Sequence, residues 1–478
     1  MSPITVLITI AAYFCLLFGI SWWAGRGSNN QEFFNGGRSS KWYMVAFAMV
    51  GSMISGVTFV SVPGMVEASG YGYLQMILGF IVGQLLIAYV LVPLFYRMNL
   101  TSIYEYLESR FGITTYKTGA WFFFVSKMLG AAARFYVVCL TLQLLVFEPF
   151  GLPFILNIAC SMALVWLYTA QGGVKSIIWA DTLKSACLII SVVLTIYFVA
   201  SDLNLDFGGL CGTVWNEHDI IFLGDVNQPQ YFWKQFMAGI FTMIATNGLD
   251  QDMMQRNLSC RNSKDAQKNM IFSGIMQLPV IALFLFLGTL LYKYAGAHSI
   301  DAAKDTLFPT IATKSGLPII VGILFIIGLV AAAYNAAGSA LTALTTSFTL
   351  DILHAKNKTE EALKKVRKNV HIILTVVMGI VIVAFDMLNN TSVIDAVYRL
   401  ASYTYGPILG LFVFGIFTKI QVRDKFLPLV AILAPILCFI LDKNSEAWFA
   451  GYKFSYELLI LNAAFTFIGM LIISKGKK

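Results

Sequence analysis

The feature that most constrains this chain is a series of apolar runs separated by short polar segments. A helix needs about 20 mostly apolar residues to cross the hydrocarbon core of a bilayer. Thirteen runs meet this length, at about 5–24, 42–68, 72–97, 117–146, 151–170, 177–201, 231–254, 269–295, 317–352, 369–388, 394–418, 425–441 and 454–474. The sequence therefore predicts an all-α protein that crosses a membrane about thirteen times.

The composition argues against other classes of protein. Of the 478 residues, 58% are hydrophobic and 12% are charged, whereas a soluble domain averages about 25% charged residues. The net charge of +8 does not indicate nucleic-acid binding, because the basic residues lie mostly in short loops and no basic stripe lies beside stacking aromatics. The seven cysteines lack CxxC spacing and the four histidines are scattered, so we expect no cofactor and no metal cluster.

The loops between the runs divide into a basic set and a set with few basic residues. The basic set holds Arg26, Arg38, Lys41, Arg97, Arg110, Lys117, Lys175, Arg256, Arg261, Lys264, Lys268, six basic residues in 356–368, Lys419, Arg423, Lys425 and the tail after 474. The other set holds Lys304, Lys314, Lys443 and Lys453, with Lys234 and Lys293 at the ends of runs. The positive-inside rule makes the basic set cytoplasmic, which predicts an external N-terminus and a cytoplasmic C-terminus in the cell (inner) membrane. Because the first run lacks a basic leader and a cleavage site, we expect it to be a span rather than a signal peptide.

Two of the runs are interrupted by glycine and polar residues. The second contains VGSMISGVT at 50–58, and the seventh contains ATNGLDQD at 245–252. These runs are five apart, so they cross the membrane in opposite directions. A matched pair of broken helices in inverted halves is the best sequence sign of a binding site at the midplane of a transporter. The alternative is that the glycines only let helices pack closely.

Several short segments match a known family in the same order along the chain. They are NGGR at 35–38, SGVTFVSVP at 55–63, TSIYEYLESRF at 101–111, GGV at 172–174 with IWAD at 178–181, QDMMQR at 251–256, and GP at 406–407 with GLF at 410–412. The chain resembles the sodium:solute symporter family, and within it the sialic acid transporter branch. The resemblance implies a LeuT-like fold in which 42–201 and 231–418 are inverted five-helix repeats, with 5–24 and 425–474 as accessory helices of one integral membrane domain.

The resemblance also implies a principal sodium site between spans 2 and 9. Carried over, its backbone oxygens come from Gly51, Ile54 and Ala332, and its two hydroxyl positions are occupied by Asn335 and Ala336. Asn335 has an amide oxygen, but the side chain of Ala336 has none. We therefore expect sodium at Gly51, Ile54, Ala332 and Asn335, with fewer oxygens than a hard cation usually takes.

A second cation position of some family members corresponds to Asp181, with Asn335, Gly338 and Ser339 on span 9. Lys184 lies three residues after Asp181, on the same face of the helix. A lysine inside a membrane is costly and suggests a function. One hypothesis is that its ammonium occupies or competes for the principal cation position, with Asp181 and Asn335 as partners. The alternatives are a structural ion pair with Asp181 and a lysine that reaches the inner leaflet.

The solute site implied by the resemblance lies between spans 2, 3, 4, 7 and 11. The residues expected there are Ser55, Gly56, Thr58, Arg134, Thr246, Asn247 and Arg399. The guanidinium groups of Arg134 and Arg399 suit a carboxylate, so we expect a sialic acid, another acidic amino sugar or a small carboxylate. A structural role, bonding the carbonyls of a broken helix, is the alternative for either arginine.

The function expected from these features is secondary active symport of a small polar anion, with a sodium gradient as the driving force. Lys184 leaves a proton-coupled symporter or a uniporter as the alternative within transport. The sequence shows no HExxH or GxSxG motif and no filter repeat, which argues against an enzyme and a channel. A solute-sensing membrane receptor is the alternative from another class. The expected partners are the solute, the coupling cation and the bilayer.

Overall fold

The computed structural model describes residues 2–25, 39–100, 102–169, 174–206, 208–209, 212, 219–355, 358–388 and 393–475. Within these ranges the chain is almost entirely helical, and the two isolated β-bridges found there join single residues of loops. The matched segment NGGR at 35–38 lies outside the described residues. Residues 172–173 of the matched segment GGV at 172–174 do as well. So does the side chain of Asn335.

Within the described ranges seventeen helices carry the fold, and they are numbered here in chain order. They are α1 Pro3–Gly25, α2 Trp42–Met53, α3 Gly56–Gly64, α4 Tyr73–Arg97, α5 Glu105–Arg110, α6 Ile113–Phe150, α7 Phe154–Thr169, α8 Val174–Asp202, α9 Phe232–Met243, α10 Gln251–Asn257, α11 Ser263–Ala297, α12 Leu307–Lys314, α13 Ile319–Ile352, α14 Glu360–Leu388, α15 Val393–Phe417, α16 Leu427–Trp448 and α17 Leu458–Ile472. Each predicted apolar run coincides with one of these helices or with a consecutive pair.

Nine helices in the described parts of the chain are long and apolar enough to cross a membrane, and the bent pair α2–α3 makes ten. The other runs form the shorter apolar helices α7 and α17 and the interrupted pair α9–α10. The all-α membrane fold is therefore confirmed, while the count of thirteen spans stays a prediction.

The first interruption lies between α2 and α3, whose axes differ by 55°. Ile54 is extended, and Ser55 begins α3 as its N-cap, with its hydroxyl accepting from the backbone N–H of Thr58. A helix leaves its last four carbonyls without intrahelical donors, and Gly51 is among these four in α2. The break therefore turns backbone carbonyls toward the interior of the protein.

The second interruption lies between α9 and α10. After α9 a π-turn spans Ile244–Gly248, and Asp250 then caps α10. One carboxylate oxygen of Asp250 accepts from the N–H groups of Asp252 at 2.9 Å and Met253 at 3.4 Å. Both breaks thus end in an oxygen-bearing N-cap, as the polar residues in these runs suggest.

The loops with many basic residues contact one another at one end of the bundle. There Arg110 donates to the carbonyl of Thr418 at 2.9 Å, and Tyr96 donates to the carbonyl of Cys260 at 2.9 Å. At the other end Lys234 donates to the carbonyl of Lys453 at 3.2 Å. We call these ends the basic side and the opposite side. The grouping of loops predicted from the sequence is thus present in the fold.

Glycines allow some neighbouring helices to touch backbone to backbone. A Cβ on Gly79 of α4 would lie 2.1 Å from the carbonyl oxygen of Phe236 in α9. A Cβ on Gly239 of α9 would lie 2.2 Å from the carbonyl oxygen of Met76 in α4. This reciprocal contact fixes α9, and with it the second break, against α4.

Candidate functional site

A cavity of about 80 Å³ lies where the two broken helices face each other. Its lining comes from α2–α3, α4, α6, α9–α10, α11 and α15. The polar residues in the lining are Ser52, Ser55, Thr58, Tyr73, Lys127, Arg134, Thr242, Thr246, Asn247, Asp250, Gln277, Tyr398 and Tyr405. At about 10–15 Å³ per water in this measure, the cavity admits several waters or a very small solute in this conformation.

Arg134 is the charged side chain in this lining that the protein leaves unpaired. It projects from the middle of α6 and has no hydrogen-bond or ion-pair partner among the described residues. A cation inside a membrane is costly, and a hydrogen bond to a charged group contributes about 1.5–3 kcal/mol. The guanidinium is therefore available to bind an anion in the cavity.

Two further polar atoms at the cavity lack partners within the described structure. The Nδ2 of Asn247 and the Oε1 of Gln277 are buried and make no hydrogen bond there. Buried polar groups are nearly always hydrogen-bonded. One unmet donor and one unmet acceptor therefore accompany Arg134, which suits a solute that carries a carboxylate and a hydroxyl or amide group.

Most of the solute residues expected from the sequence line this cavity. Ser55, Thr58, Arg134, Thr246 and Asn247 do so. The expected Gly56 does not, because it packs at the base of α3, where a Cβ would lie 2.6 Å from Val138 and 3.7 Å from Ala333.

Arg399 also lies away from the cavity, in a vestibule of about 780 Å³ on the opposite side. Its guanidinium is half-exposed and pairs with Asp442 at 3.1 Å, and Tyr403 donates to the same carboxylate at 2.7 Å. The expectation that Arg399 lines the central site is therefore corrected. The side chain extends from α15 toward Asp442 on α16.

Two tyrosines separate the cavity from this vestibule. The hydroxyl groups of Tyr73 on α4 and Tyr398 on α15 are hydrogen-bonded at 2.7 Å. The ring of Tyr398 also lies 4.7 Å from the ring of Tyr456. Tyr73 lines both spaces, so this hydrogen bond lies in the wall between them.

A buried network of charged side chains begins at the floor of the cavity. Lys127 on α6 lies 3.0 Å from Asp250 and 2.9 Å from Asp252. Tyr405 also donates to Asp250, at 2.7 Å. All these side chains are buried, and Lys127 is held by two carboxylates. Its charge is thus compensated, unlike that of Arg134.

The network continues from α10 to α8 through Arg256. This guanidinium lies 3.4 Å from Asp252 and 3.2 Å from Asp181, and it also contacts the hydroxyl of Ser52. The Asp181 carboxylate is fully buried. Arg256 therefore links the broken seventh span to the carboxylate that the family resemblance places near a cation.

Lys184 extends the network beyond Asp181. Its ammonium lies 3.3 Å from Asp181, 3.0 Å from the hydroxyl of Tyr168 and 3.4 Å from the carbonyl oxygen of Tyr334 on α13. The ammonium also lies 4.3 Å from the centre of the Tyr168 ring. The side chain turns inward between α8, α7 and α13, so the alternative of a lysine reaching the lipid interface is wrong.

The remaining residues of the expected cation sites lie on α2 and its break and on α13. Gly51 packs so closely on α8 that a Cβ would lie 1.8 Å from the hydroxyl of Ser185, while Ile54 lies at the break in α2–α3. Ala332 and Ala336 follow one another along α13, and Ser339 donates to the carbonyl of Ala336 at 3.3 Å. No cluster of three or more His, Cys, Asp or Glu side chains occurs in the described ranges. The groups available at this position are backbone carbonyls, the carboxylate of Asp181 and the cationic side chains of Lys184 and Arg256.

The formal charges of the side chains around the site do not sum to zero. The cationic side chains are Lys127, Arg134, Lys184 and Arg256, and the anionic ones are Asp181, Asp250 and Asp252. The formal charge of this set is plus one, and Arg134 carries the excess. One monoanion bound at Arg134 would neutralise the set.

Comparison with known proteins assigns the chain to a family. The model of the sodium:solute symporter family matches residues 33–423. The chain belongs to the sodium:solute symporter family. It is therefore a transporter by family and not an enzyme, as the sequence predicts.

Two characterised relatives and one solved structure illustrate the match. The sodium/sialic acid symporter NanT of Aliivibrio fischeri is 25% identical over 90% of this chain and 86% of its own length. The sodium-coupled monocarboxylate transporter 2 of Mus musculus is 25% identical over 81% of this chain, which spans 64% of that protein. The substrate-bound, outward-open structure of a Na⁺-coupled sialic acid symporter superposes with a TM-score of 0.84 at 20% identity, over 99% of both chains. The fold of this symporter family member is thus the LeuT-like fold expected from the sequence.

Proposed function

We propose that this symporter imports a small solute carrying a single carboxylate, which binds the guanidinium of Arg134. The observation that supports this most directly is the unpaired cation in an otherwise charge-compensated cavity. Relatives that carry sialic acid and monocarboxylates share this anionic chemistry. The unmet donor of Asn247 and acceptor of Gln277 favour a sialic acid or another hydroxylated or acylated acid over a plain fatty acid.

The proposed orientation follows from the basic loops. The positive-inside rule places the basic side in the cytoplasm, so the vestibule with Tyr73 and Tyr398 opens to the outside. A solute then enters through the vestibule, displaces the tyrosine contact and reaches Arg134. Transport in this direction is import across the cell (inner) membrane.

Membership of the sodium:solute symporter family favours sodium as the driving ion. The carbonyls of Gly51, Ile54 and Ala332 would provide its backbone ligands. A bound sodium ion next to Asp181 would compete with Lys184 and Arg256 for the same carboxylate, and its position is therefore coupled to the charged network.

A second candidate mechanism is favoured by the placement of Lys184. Its ammonium already contacts both Asp181 and the carbonyl of Tyr334 on α13, the two elements that the family resemblance joins through a cation. A proton on Lys184 would then replace sodium, and the protein would be a proton-coupled symporter or a uniporter. Loss of that proton would leave Asp181 paired with Arg256 alone.

The experiment is uptake into proteoliposomes of labelled sialic acid and, separately, a small monocarboxylate such as lactate. Sodium and pH gradients are imposed one at a time. Uptake driven by sodium and indifferent to pH would support the family mechanism. Uptake driven by an inward proton gradient without sodium, and lost in Lys184→Gln, would support the second mechanism. A Lys304→Gln variant, altered at an exposed lysine of the vestibule, is the matched control.

A further inference from the structure

A second cavity of about 550 Å³ lies on the outer surface, between α7 and α14. It is lined almost entirely by apolar side chains: Ile155, Ile158, Ala159, Met162, Ala163 and Trp166 from α7, and Ile372, Thr375, Val376, Gly379, Ile380 and Val383 from α14. Several of these are strongly exposed. We call this feature the α7–α14 groove, and it is distant in the fold from the solute cavity.

The groove has the length of one membrane leaflet. Its lining on α14 runs from Ile372 to Val383, which is about 16 Å at a rise of 1.5 Å per residue. Half of a hydrocarbon core of about 30 Å is about 15 Å. The two helices are antiparallel neighbours here, since the ring of His371 is hydrogen-bonded to Thr169 at 2.9 Å. The groove therefore extends inward from the basic side by one leaflet.

Lysines continue the same helix face beyond the basic end of the groove. Lys365 and Lys368 precede Ile372 by seven and four residues, so they lie on one stripe with it. Both are exposed, and neither has an ion-pair or hydrogen-bond partner among the described residues. Trp166 lies one turn before Thr169 on α7, at the level where tryptophan prefers the membrane interface.

We propose that the α7–α14 groove binds one anionic phospholipid of the leaflet on the basic side. One acyl chain fills the groove, and the phosphate lies between Lys365 and Lys368. The small residues Ala159, Ala163 and Gly379 make room for the chain. Basic pockets between membrane helices bind anionic head groups for the same electrostatic reason. The inference does not depend on the identity of the solute.

The test is native mass spectrometry of the purified full chain with added phosphatidylglycerol or phosphatidylcholine of identical acyl chains. We expect the protein to retain phosphatidylglycerol at least threefold better than phosphatidylcholine. The double variant Lys365→Gln/Lys368→Gln should lose that preference. The control Lys264→Gln/Lys268→Gln removes the same charge from the start of α11 on the same side, and it should keep the preference.

A second variant tests the groove itself. Gly379→Leu places a side chain into the space beside Met162 and Ile158 and should weaken retention of both lipids without lowering the melting temperature by more than a few degrees. Equal retention of the two lipids by the unaltered protein would overturn the proposal. An equal loss in the Lys264/Lys268 control would overturn it as well. A dimer that dissociates in Gly379→Leu would assign the groove to a second copy of the chain instead.

Discussion

At the scale of single residues, the described part of the site combines one cation that has no protein partner with a chain of compensated charges. Arg134 has no partner in the described structure, whereas Lys127 is held by two carboxylates at 2.9 and 3.0 Å. A solute would bind weakly to an arginine that is paired with protein carboxylates, since the solute would have to displace them. This difference is why we assign anion binding to Arg134 and a structural role to Lys127.

Replacement of Arg134 by Gln should raise the KM for uptake of the carboxylate solute by about 10- to 100-fold, because a charge-assisted hydrogen bond contributes about 1.5–3 kcal/mol. The matched control is Arg399→Gln, which removes a half-exposed arginine that is paired with Asp442. Its KM should change by less than threefold. The concentration dependence of uptake measures both, and equal effects would remove Arg134 from the site.

Replacement of Asp250 by Asn should destabilise the protein by about 3 kcal/mol, since breaking a buried ion pair costs about 3–5 kcal/mol and Lys127 keeps Asp252 as a partner. The same change weakens the cap of α10 and the bond from Tyr405. Thermal unfolding in detergent measures the loss. Asp442→Asn, whose partner Arg399 is half-exposed, is the control and should lower the melting temperature much less.

The sequence predicts contacts within one helix better than contacts between helices. Asp181 and Lys184 are three residues apart, so their pairing follows from helix geometry, and the structure contains it at 3.3 Å. Lys127 and Asp250 are separated by 123 positions, and no spacing rule relates them. The roles of Asp250, Asp252 and Arg256 were missed for this reason. A signal was present for Lys127, Asp250 and Asp252, since charged residues within runs that should cross a membrane require partners. Arg256 lies two residues beyond its run and gave no such signal.

At the scale of elements, the two broken helices position the site. Hydropathy and the glycine-containing polar stretches locate both breaks correctly, because glycine and polar residues weaken a helix within an apolar run. The π-turn at Ile244–Gly248 that ends α9 overlaps the second of these stretches, which predicts a break here but not its π geometry. The length of α14 was also underestimated. It begins at Glu360, nine residues before the apolar run, because charged residues extend it beyond the hydrocarbon.

The close contact between α4 and α9 should not tolerate a side chain. Gly79→Ala places a Cβ against the backbone carbonyl of Phe236 at 2.1 Å, and a backbone atom cannot move aside as a flexible side chain can. We expect a melting temperature lower by several degrees and reduced uptake. Gly130→Ala in α6 is the control, since nothing lies within 4 Å of its Cβ. It should be neutral or stabilising by up to about 1 kcal/mol, the difference in helix propensity.

At the scale of the whole molecule, the two sides of the cavity are closed unequally. On the basic side Tyr104 donates to the carbonyl of Leu249 at 2.7 Å, and the backbone N–H of Ile103 donates to Gln251 at 3.0 Å. The charged network lies at the same level. On the opposite side the closing contact is the bond between Tyr73 and Tyr398. This conformation is therefore closest to opening toward the vestibule.

Weakening the contact between Tyr73 and Tyr398 should expose the cavity from the vestibule side. A hydrogen bond contributes about 1 kcal/mol net, so Tyr73→Phe should speed labelling of a Thr246→Cys cavity variant several-fold by a membrane-impermeant thiol reagent added outside. Ser69→Cys, in the vestibule, should label at the same rate with or without Tyr73→Phe. An unchanged rate at Thr246→Cys would show that another contact closes the cavity.

The central claim is that Arg134 binds the negatively charged group of the solute. The measurement that tests it most directly is equilibrium binding of a transported carboxylic acid and of its neutral amide to the unaltered protein and to Arg134→Gln. We predict that the unaltered protein binds the acid at least tenfold more tightly than the amide, and that Arg134→Gln binds the two within threefold of each other. A variant that keeps the full preference for the acid would contradict the account and place the anion at another residue.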